Sequence, residues 1–485
     1  MNIKTVGFYI GHILRLLALL MLPVLLIALV KGEQRALLAT GVTVAAVLAA
    51  GCALLAVKRP SEGGIRPREG YLTVALGWIL ISLFGALPFF LSGAIPNFMD
   101  CWFETVSGFT TTGATILADV EALPMSLLYW RSFTHWIGGM GVLVFVLAIV
   151  PMSKGNGESV HLLRAESPGP SVGKLTPTMR HTARVLYLIY IGLTLLLIVL
   201  LLAGGMPLFD SIVHAFGAAG TGGFSIKNLS IAAYPSYYLQ TVLAVFMALF
   251  GVNFNLFYLI LVGKAAQALK SEEFRAYVGV MAAATLIITV NVLPLYGGLR
   301  DALHQSFFQV SSIMTTTGYA TADFNKWPEL SRMLLLGLMI IGASAGSTGG
   351  GMKVARAVIL MKSLKSEIKR MLRPRQVETV CMDGKQLDDF VVRGVYGFTV
   401  AYIVICGASM LLVALDDFDF TTTASSVLAC IGNIGPGLEL VGPIGNYGAF
   451  SWFAKLVLSF DMLIGRLEIF PMLMLFSPAV WKRRV

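Results

Sequence analysis

The chain has 485 residues, of which 56% are apolar (AVILMFWYC) and only 13% are charged. Soluble domains carry about 25% charged residues, and disordered chains are also polar and highly charged. The composition therefore excludes a soluble globular protein and a disordered one, and it indicates that lipid surrounds most of the surface. The 50 glycines and the net charge of +10 need separate explanations.

Ten segments approximate a membrane-spanning helix, which needs about 20 mainly apolar residues. They are 6–30, 36–57, 71–93, 128–151, 184–205, 235–263, 277–297, 332–362, 391–415 and 449–480. Several exceed a plain span and are expected to extend beyond the bilayer or to be interrupted. No A-x-A cleavage site follows the first segment, which we interpret as a retained helix and not as a signal peptide.

The basic residues lie on one side of the predicted membrane. Of the 36 Lys and Arg, 26 lie at Lys4 and in 58–70, 152–184, 264–275, 352–393 and 481–485. The positive-inside rule makes these parts, and both termini, cytoplasmic, so nucleic acid is not needed to explain the charge. The strongest basic run, 362–375, fits anionic lipid headgroups and also a docking surface for a cytoplasmic partner.

Four outward connections differ from ordinary loops. They run for about 30 residues, where about 4–6 is usual, and they are half apolar with clusters of Gly, Thr and Ser. Non-helical backbone at membrane depth is tolerated only inside protein or beside a water-filled cavity. We therefore interpret each connection as a re-entrant segment, in which a short helix enters the membrane and an extended strand returns.

The four re-entrant segments are similar in sequence when Gly113, Gly223, Gly318 and Gly435 are aligned. The first and third share Phe, Ser, three Thr and the glycine, the second keeps Thr221, and the fourth keeps only the glycine. All four fall on the outward side, so the repeats are parallel, unlike the inverted repeats of many secondary transporters. We predict an all-α polytopic membrane protein with four parallel helix–pore loop–helix repeats around one central pore, plus two extra N-terminal transmembrane helices. The expected boundaries are 1–70 for the N-terminal extension and 71–151, 152–263, 264–363 and 364–485 for repeats 1 to 4.

The T-T-T-G pattern suits a monovalent cation. Gly adopts backbone conformations closed to other residues, so such a strand can point successive carbonyls at the axis. Four strands then form rings of oxygen that replace a hydration shell, and the short helices direct their negative C-terminal ends at the centre. The strands contain no acidic residue, so selection of a divalent ion by carboxylates is not expected. One match would favour an ordinary turn or helix contact, whereas four in equivalent positions favour an ion pathway.

On these residues the chain resembles the Trk/Ktr/HKT superfamily of potassium transporters, most closely its bacterial TrkH branch, over essentially its whole length. The resemblance implies one filter strand per repeat. The implied filter residues are Thr110, Thr111, Thr112, Gly113, Gly220, Thr221, Gly222, Gly223, Thr315, Thr316, Thr317, Gly318, Gly432, Asn433, Ile434 and Gly435. It also implies K⁺ as the transported ion, no organic cofactor, the bacterial inner membrane, a homodimer with one pore per protomer, and a cytoplasmic nucleotide-binding regulatory subunit of the TrkA type.

The eighth predicted span is interrupted by Gly346, Ser347, Thr348, Gly349, Gly350 and Gly351. Each glycine costs a helix about 1 kcal/mol relative to Ala. A close helix contact or a kink would explain one such residue. In the resembled family an intramembrane loop at this place obstructs the pore below the filter, and we adopt that reading as a hypothesis.

Arg466 lies deep in the last predicted span, where charged residues face a partner or a cavity. It either pairs with Asp461 or Glu468, or stands at the pore below the filter as an electrostatic barrier. The similarity of this motif to the family's supports the barrier.

Several other polar residues carry weaker expectations. Arg131 is expected to be an interfacial anchor, and His135 a helix-contact hydrogen-bonding residue. His214, at a pore-helix position, is expected to hydrogen-bond the back of the filter. Five acidic residues either concentrate cations at the outer mouth or form a solvated rim. They are Asp100, Glu104, Asp416, Asp417 and Asp419.

Two other classes of function fit the sequence less well. A proton- or sodium-coupled secondary transporter is the alternative to a channel-like pore, but it would favour a protonatable carboxylate at the midplane and often inverted repeats. An enzyme is not expected, because the sequence has no HExxH and no GxxxxGK[ST] motif, and its one GxSxG match, around Ser344, lies in an apolar span. The five cysteines form no CxxC pair, so neither a zinc site nor a disulfide framework is predicted.

Overall fold

The computed structural model describes residues 3–56, 67–141, 179–374 and 378–481. Within these ranges the chain is helical, apart from its loops and one antiparallel hairpin of β1 (Cys381–Met382) and β2 (Lys385–Gln386). Among the described residues, six helices are long and apolar enough to cross a membrane, and there are seven spans if the bent pair Tyr237–Phe250 and Phe254–Leu261 counts as one. Their outward faces carry exposed apolar side chains such as Leu286, Val290 and Ile403, which only a lipid environment would tolerate in such number.

The chain begins with a helical hairpin. Helix α1 (Ile3–Leu20) continues into α2 (Leu22–Lys31), and α3 (Gln34–Ala56) returns beside it. Gly11 and Gly51 stand at the crossing of α1 and α3, where a Cβ on either glycine would lie 3.0 Å from the backbone oxygen of the other. Small residues of this kind let two membrane helices approach closely.

In the described residues after Ala56, one order of helices occurs four times. A 25-residue helix comes first: α4 (Pro67–Leu91), α7 (Met179–Ala203), α12 (Glu272–Tyr296) and α16 (Asp389–Val413). A short helix of 12 to 16 residues follows: α5 (Phe98–Phe109), α8 (Leu208–Gly220), α13 (Leu299–Met314) and α17 (Phe420–Ile431). A third helix of 13 to 15 residues then runs back: α6 (Met125–Gly139), α9 (Tyr237–Phe250), α14 (Glu329–Ile341) and α18 (Trp452–Arg466).

Smaller helices complete the described chain. Helices α10 (Phe254–Leu261) and α11 (Ala265–Lys270) follow α9, α15 (Val354–Leu372) follows α14, and α19 (Phe470–Leu475) and α20 (Pro478–Trp481) follow α18. Four 3₁₀ turns lie at Ser230–Ala233, Phe324–Lys326, Ala414–Asp416 and Glu439–Val441.

Four of the ten predicted spans fall on the third helices, each of which is by itself shorter than the bilayer is thick, as expected for spans that are interrupted. At 1.5 Å per residue they reach about 20–22 Å, against a hydrocarbon core of about 30 Å. Helices α9 and α10 meet at an angle of 93°, and α14 and α18 each end in a loop. Helix α6 ends at Gly139, and the predicted span beyond residue 141 lies outside the described residues. The other six predicted spans are the six apolar helices of the structure.

The N-terminal hairpin is fastened to the first of these repeats. Glu33, in the turn between α2 and α3, accepts hydrogen bonds from the backbone N–H groups of Met125 (2.7 Å) and Ser126 (3.1 Å) and from the Ser126 hydroxyl. Its carboxylate therefore caps the N-terminus of α6, where the helix dipole favours negative charge.

Candidate functional site

The four short helices end in the same turn. The residues of this turn are named segment 1 (110–113), segment 2 (220–223), segment 3 (315–318) and segment 4 (432–435). In each, the third residue donates its N–H to the carbonyl five positions earlier, as in Thr112 to Ser107 (2.9 Å) and Thr317 to Ser312 (2.8 Å). The second residue donates three positions back, as in Thr111 to Gly108 (3.1 Å). Together these bonds form the Schellman motif that commonly ends helices.

The second residue of every segment has a left-handed backbone. Its φ is 55° at Thr111, 55° at Thr221, 60° at Thr316 and 55° at Asn433. This conformation costs a residue with a Cβ about 1–2 kcal/mol, and for a β-branched residue it is a genuine outlier. Such strain clusters at functional sites. Its fourfold recurrence singles out these segments, and the sequence reasoning, which assigned unusual backbone only to the glycines, missed it.

The glycine that ends each segment closes the segments into a ring. Gly113, Gly223, Gly318 and Gly435 all have positive φ, between 74° and 90°. A Cβ added to the first three would collide with the carbonyl oxygens of Gly222, Thr317 and Ile434, and one added to Gly435 would lie 2.7 Å from the oxygen of Thr112. Each glycine thus abuts the carbonyl of the next segment, in the order 1–2–3–4–1, and no other residue fits.

One outer pocket lies above this ring. All four segment glycines line it, together with Arg131, Lys227 and residues 441–447. None of the five acidic residues predicted at the mouth lines it. Glu104 is only 1% exposed, which makes that prediction wrong for it, because its carboxylate pairs with Arg131 inside the protein.

The other acidic residues have local partners. Asp100 accepts from Lys455 (2.6 Å), Asp416 from the backbone N–H of Ser451 (2.7 Å), and Asp419 caps α17. Caps of this kind occupy the orphan donors of a helix N-terminus. Asp417 is exposed. Their contacts fit a rim that holds helix ends, not a charged vestibule.

Residues 346–351, named here the glycine-rich loop, lie against the inner side of the ring. The N–H of Gly350 donates to the Thr316 hydroxyl (2.7 Å), and a Cβ on Gly350 would lie 2.8 Å from that of Asn433. A Cβ on Gly349 would lie 2.8 Å from the carbonyl oxygen of Thr315. The loop therefore touches the left-handed residues of segments 3 and 4, and its glycines permit the approach.

The break between α9 and α10 receives this loop. Phe254 N–H donates to Gly346 O (3.0 Å), and the Thr348 hydroxyl donates to Phe250 O (3.2 Å). Just before the loop, Ser344 N–H donates to Gly251 O (3.1 Å). The interruption of α9 thus supplies backbone groups that the loop needs. The sequence signal for it, Gly251 followed by Asn253, was hidden inside one long apolar run.

Arg466 joins the loop to another helix end. Its guanidinium donates to Thr348 O (2.6 Å) in the loop and to Gly138 O (2.5 Å) and Gly139 O (2.7 Å) at the end of α6. The last carbonyls of a helix are unpaired and partly negative, which suits a cation. Lys353 also donates to Gly349 O, so two basic side chains meet the loop. One inner pocket is lined by both of them and by loop residues.

The acidic residues considered as partners of Arg466 make other contacts. Asp461 accepts from the Ser409 hydroxyl (2.7 Å), and Glu468 forms a buried ion pair with Arg356. The structure therefore brings Arg466 together with the predicted gate loop.

Two histidines lie behind the ring. His135 bonds Gly108 O through Nδ1 (2.8 Å), and its Nε2 accepts from Phe224 N–H (3.3 Å). His214 Nε2 is 3.0 Å from the hydroxyl of Ser225, two residues after Gly223. The expected hydrogen-bonding role is confirmed for His135. His214 bonds a residue just beyond segment 2, and the identity of that segment as a filter strand stays a prediction. The expectation for Arg131 is wrong, because its side chain is only 3% exposed.

Comparison with known proteins identifies the family. The TrkH family model, described as a cation transport protein, matches residues 39–296 and 289–483. The Trk system potassium uptake protein TrkH of Salmonella typhimurium is 37% identical over 441 residues, covering 90% of each chain. TrkH of Vibrio parahaemolyticus is 35% identical, covering 99% of this chain and 100% of its own.

A solved structure agrees with these relatives. The crystal structure of the potassium transporter TrkH from Vibrio parahaemolyticus superposes with a TM-score of 0.89 at 33% identity, covering 99% of this chain and 100% of that one. The predicted resemblance is confirmed, and the relatives are transporters and not enzymes, as expected. The chain is a multi-pass membrane protein and belongs to the TrkH family of cation transport proteins.

Proposed function

We propose that this protein takes up potassium through a channel-like pore whose selectivity filter is the ring of segments 1 to 4. The observation that carries the proposal is the closed ring, in which four positive-φ glycines each abut a carbonyl of the next segment. Rings of backbone carbonyls can replace the hydration shell of a monovalent cation. The names of the relatives, potassium uptake proteins, support K⁺ as that cation.

The surroundings of the ring suit a cation. Four helices end at the ring, and each directs the partial negative charge of its C-terminus toward it. No carboxylate belongs to the segments, so the oxygens are neutral dipoles, which suits a monovalent ion. In this proposal each repeat supplies one segment, with the repeat boundaries given by the sequence, and the N-terminal hairpin lies outside the pore.

The glycine-rich loop, residues 346–351, and Arg466 form the proposed gate. The loop lies under segments 3 and 4, and Arg466 places positive charge beside it. A cation that leaves the ring inward would be repelled by this charge, because salt screens a partly buried charge only weakly. Opening would require the loop to exchange its hydrogen bonds to Thr316 and Arg466 for others.

The wider biology follows the family resemblance. The basic connections are proposed to face the cytoplasm, with both termini, in the bacterial inner membrane. A homodimer and a cytoplasmic nucleotide-binding subunit of the TrkA type complete the proposal, and that subunit would act on the gate from the basic side.

One observation favours the alternative, a proton-coupled secondary transporter. Asp461 in α18 is 2% exposed, and within the described residues its Oδ2 atom has no hydrogen-bond partner. A buried carboxylate in a membrane helix is costly when ionised and marks a proton relay in many transporters. The sequence alone did not reveal how completely this side chain is enclosed.

Ion flux in proteoliposomes separates the two functions. The purified protein would be tested with imposed K⁺ or Na⁺ gradients, with and without a proton gradient, beside the Gly113→Ser and Asp461→Asn variants. The channel proposal expects reversal near the K⁺ equilibrium potential at any proton gradient, and loss of selectivity only in Gly113→Ser. Strict dependence on the proton gradient, abolished by Asp461→Asn, would establish coupled transport instead.

A further inference from the structure

A buried ion pair lies behind segments 1 and 2. Glu104 on α5 and Arg131 on α6 are 1% and 3% exposed, and their Oε1 and Nε atoms are 2.6 Å apart. The desolvation of two buried charges often exceeds their attraction, so such a pair is weak evidence for stability. Its presence beside the ring requires another explanation.

The contacts of the pair lead to two different segments. Glu104 accepts from the Thr115 hydroxyl (2.9 Å) and from Ile116 N–H (3.0 Å), which lie two and three residues after Gly113. Arg131 donates through Nη1 to Ser225 O (2.9 Å), two residues after Gly223, and its guanidinium carbon lies 3.5 Å from the centre of the Phe224 ring. The pair therefore bridges the outer ends of segments 1 and 2.

In the other three repeats, the position equivalent to Glu104 holds no acidic residue. Glu104 stands nine residues before the segment glycine, where the other repeats have His214, Gln309 and Ser426. His214 bonds Ser225 and Gln309 contacts Thr321, both just beyond their own segment, while Ser426 bonds Thr423 O (2.9 Å) in its own helix. Only Glu104 is a carboxylate, and only its ion pair continues to the next segment.

We propose that the Glu104–Arg131 pair is a positioning device that fixes the spacing of segments 1 and 2 and thereby sets the K⁺ over Na⁺ selectivity of the ring. This inference rests on the proposed filter function. Charge-assisted hydrogen bonds are shorter and stronger than neutral ones, so the pair holds the two outer ends more firmly than a neutral link would. A ring held at the width of K⁺ disfavours the smaller Na⁺, whereas a ring that relaxes loses this preference.

The test measures the permeability ratio of K⁺ to Na⁺ in proteoliposomes of Glu104→Gln, which keeps the shape and removes the charge. We expect the ratio to fall by roughly tenfold while K⁺ flux persists, because small displacements of positioned groups have large effects. A merely structural role would lower the amount of folded protein and the flux without changing the ratio.

The chain provides a matched control. Glu121 and Lys227 form a second ion pair between the same two loops, at 3.1 Å, but with side chains 44% and 37% exposed. Glu121→Gln should leave the ratio unchanged, because exposed pairs contribute little. An equal loss of selectivity in Glu121→Gln, or an unchanged ratio in folded Glu104→Gln, would overturn the inference.

A second variant keeps the inference testable if Glu104→Gln does not fold, since it leaves Arg131 as an unpaired buried charge. Glu104→Gln with Arg131→Met removes both charges, and the ratio should again fall, because the bond to Ser225 O is lost. Gly113→Ser separates the two proposals. If the wild type is selective and Gly113→Ser is not, an unchanged K⁺ to Na⁺ ratio in the double variant overturns only the role of the pair. An unselective wild type overturns both the proposed filter and the role of the pair.

Discussion

The ring of segments 1 to 4 is held by backbone bonds to the helix that precedes each segment, whereas the glycine-rich loop is held by distant parts of the chain. Within the ring, Thr112 bonds Ser107 and Thr317 bonds Ser312, both in their own helices. The loop depends on α10, on the end of α9 and on Arg466. A local turn keeps its own shape unless its helix frays, whereas a loop with remote partners can exchange them. If the ring is the filter and the loop is the gate, as proposed, this difference explains how one molecule keeps a rigid selective part beside a movable part.

Breaking the ring is expected to have the largest effect. In Gly113→Ser, the new Cβ would collide with Gly222 O, so segments 1 and 2 must separate. We expect K⁺ selectivity in liposome flux to fall by about 100-fold or more, because misplaced binding groups of this kind are costly.

The matched control for this change is Gly93→Ser. Gly93 also has a positive φ, 74°, but a Cβ there meets nothing within 4 Å. It therefore carries the backbone strain without the collision and should keep its selectivity. Equal losses in both variants would show that strain, and not the ring contact, explains the effect.

The next prediction concerns the glycine-rich loop. Deletion of residues 346–351 should raise K⁺ flux by about tenfold. The K⁺ to Na⁺ ratio should stay as in the wild type, because the turn of each segment is held by backbone bonds to its own helix and not by the loop. Flux is measured in proteoliposomes, with monodispersity in detergent as the folding control. Unchanged flux in a folded deletion would mean that the loop is not the barrier.

Arg466→Gln should have a smaller effect in the same direction. It weakens the bonds to Thr348 O and to the end of α6 and removes a charge. We therefore expect flux to rise by about threefold to tenfold, which corresponds to an interaction of about 0.7–1.4 kcal/mol. Arg370→Gln is the control, because Arg370 is exposed and pairs only locally with Glu367. A rise in both variants would indicate a general effect of surface charge.

The smallest effect is expected from a substitution outside both the ring and the glycine-rich loop. Glu33→Gln weakens the cap of α6 and should lower the free energy of unfolding by about 1 kcal/mol, seen as a lower thermal midpoint in detergent. Glu367→Gln, at an exposed site, is the control. Selectivity should not change, and a changed K⁺ to Na⁺ ratio in Glu33→Gln would contradict the separation of the hairpin from the pore.

Hydropathy patterns predicted much of the architecture, because a helix that is surrounded by lipid must be apolar over its whole length. Six predicted spans are continuous apolar helices, since a long apolar run in lipid must satisfy its backbone bonds internally. The sequence predicted the break at residues 346–351 but not the one between α9 and α10. Apolar composition does not change where α9 ends and α10 begins, so hydropathy cannot reveal a 93° bend whose backbone groups are satisfied by another loop.

The candidate site divides in the same way. The glycines of the four segments were identified from sequence, because only glycine fits beside a neighbouring carbonyl. The left-handed Thr111, Thr221 and Thr316 were not, since threonine rarely adopts that backbone and nothing local announces it. Glu104 and Arg131 were assigned to the mouth and the interface, although each is buried with the other.

The sequence by itself determined the lipid environment, the fourfold recurrence of a glycine-ended segment and the family to which the chain belongs. These properties depend on composition and on short-range pattern, which are read directly from the residues. Tertiary structure alone decided which groups meet: the closure of the ring from Gly435 back to Thr112, the seat of the glycine-rich loop, and the partners of Arg466 and Glu104. Such contacts join residues far apart in the chain, and they arise only when packing brings buried polar groups to the donors and acceptors that satisfy them.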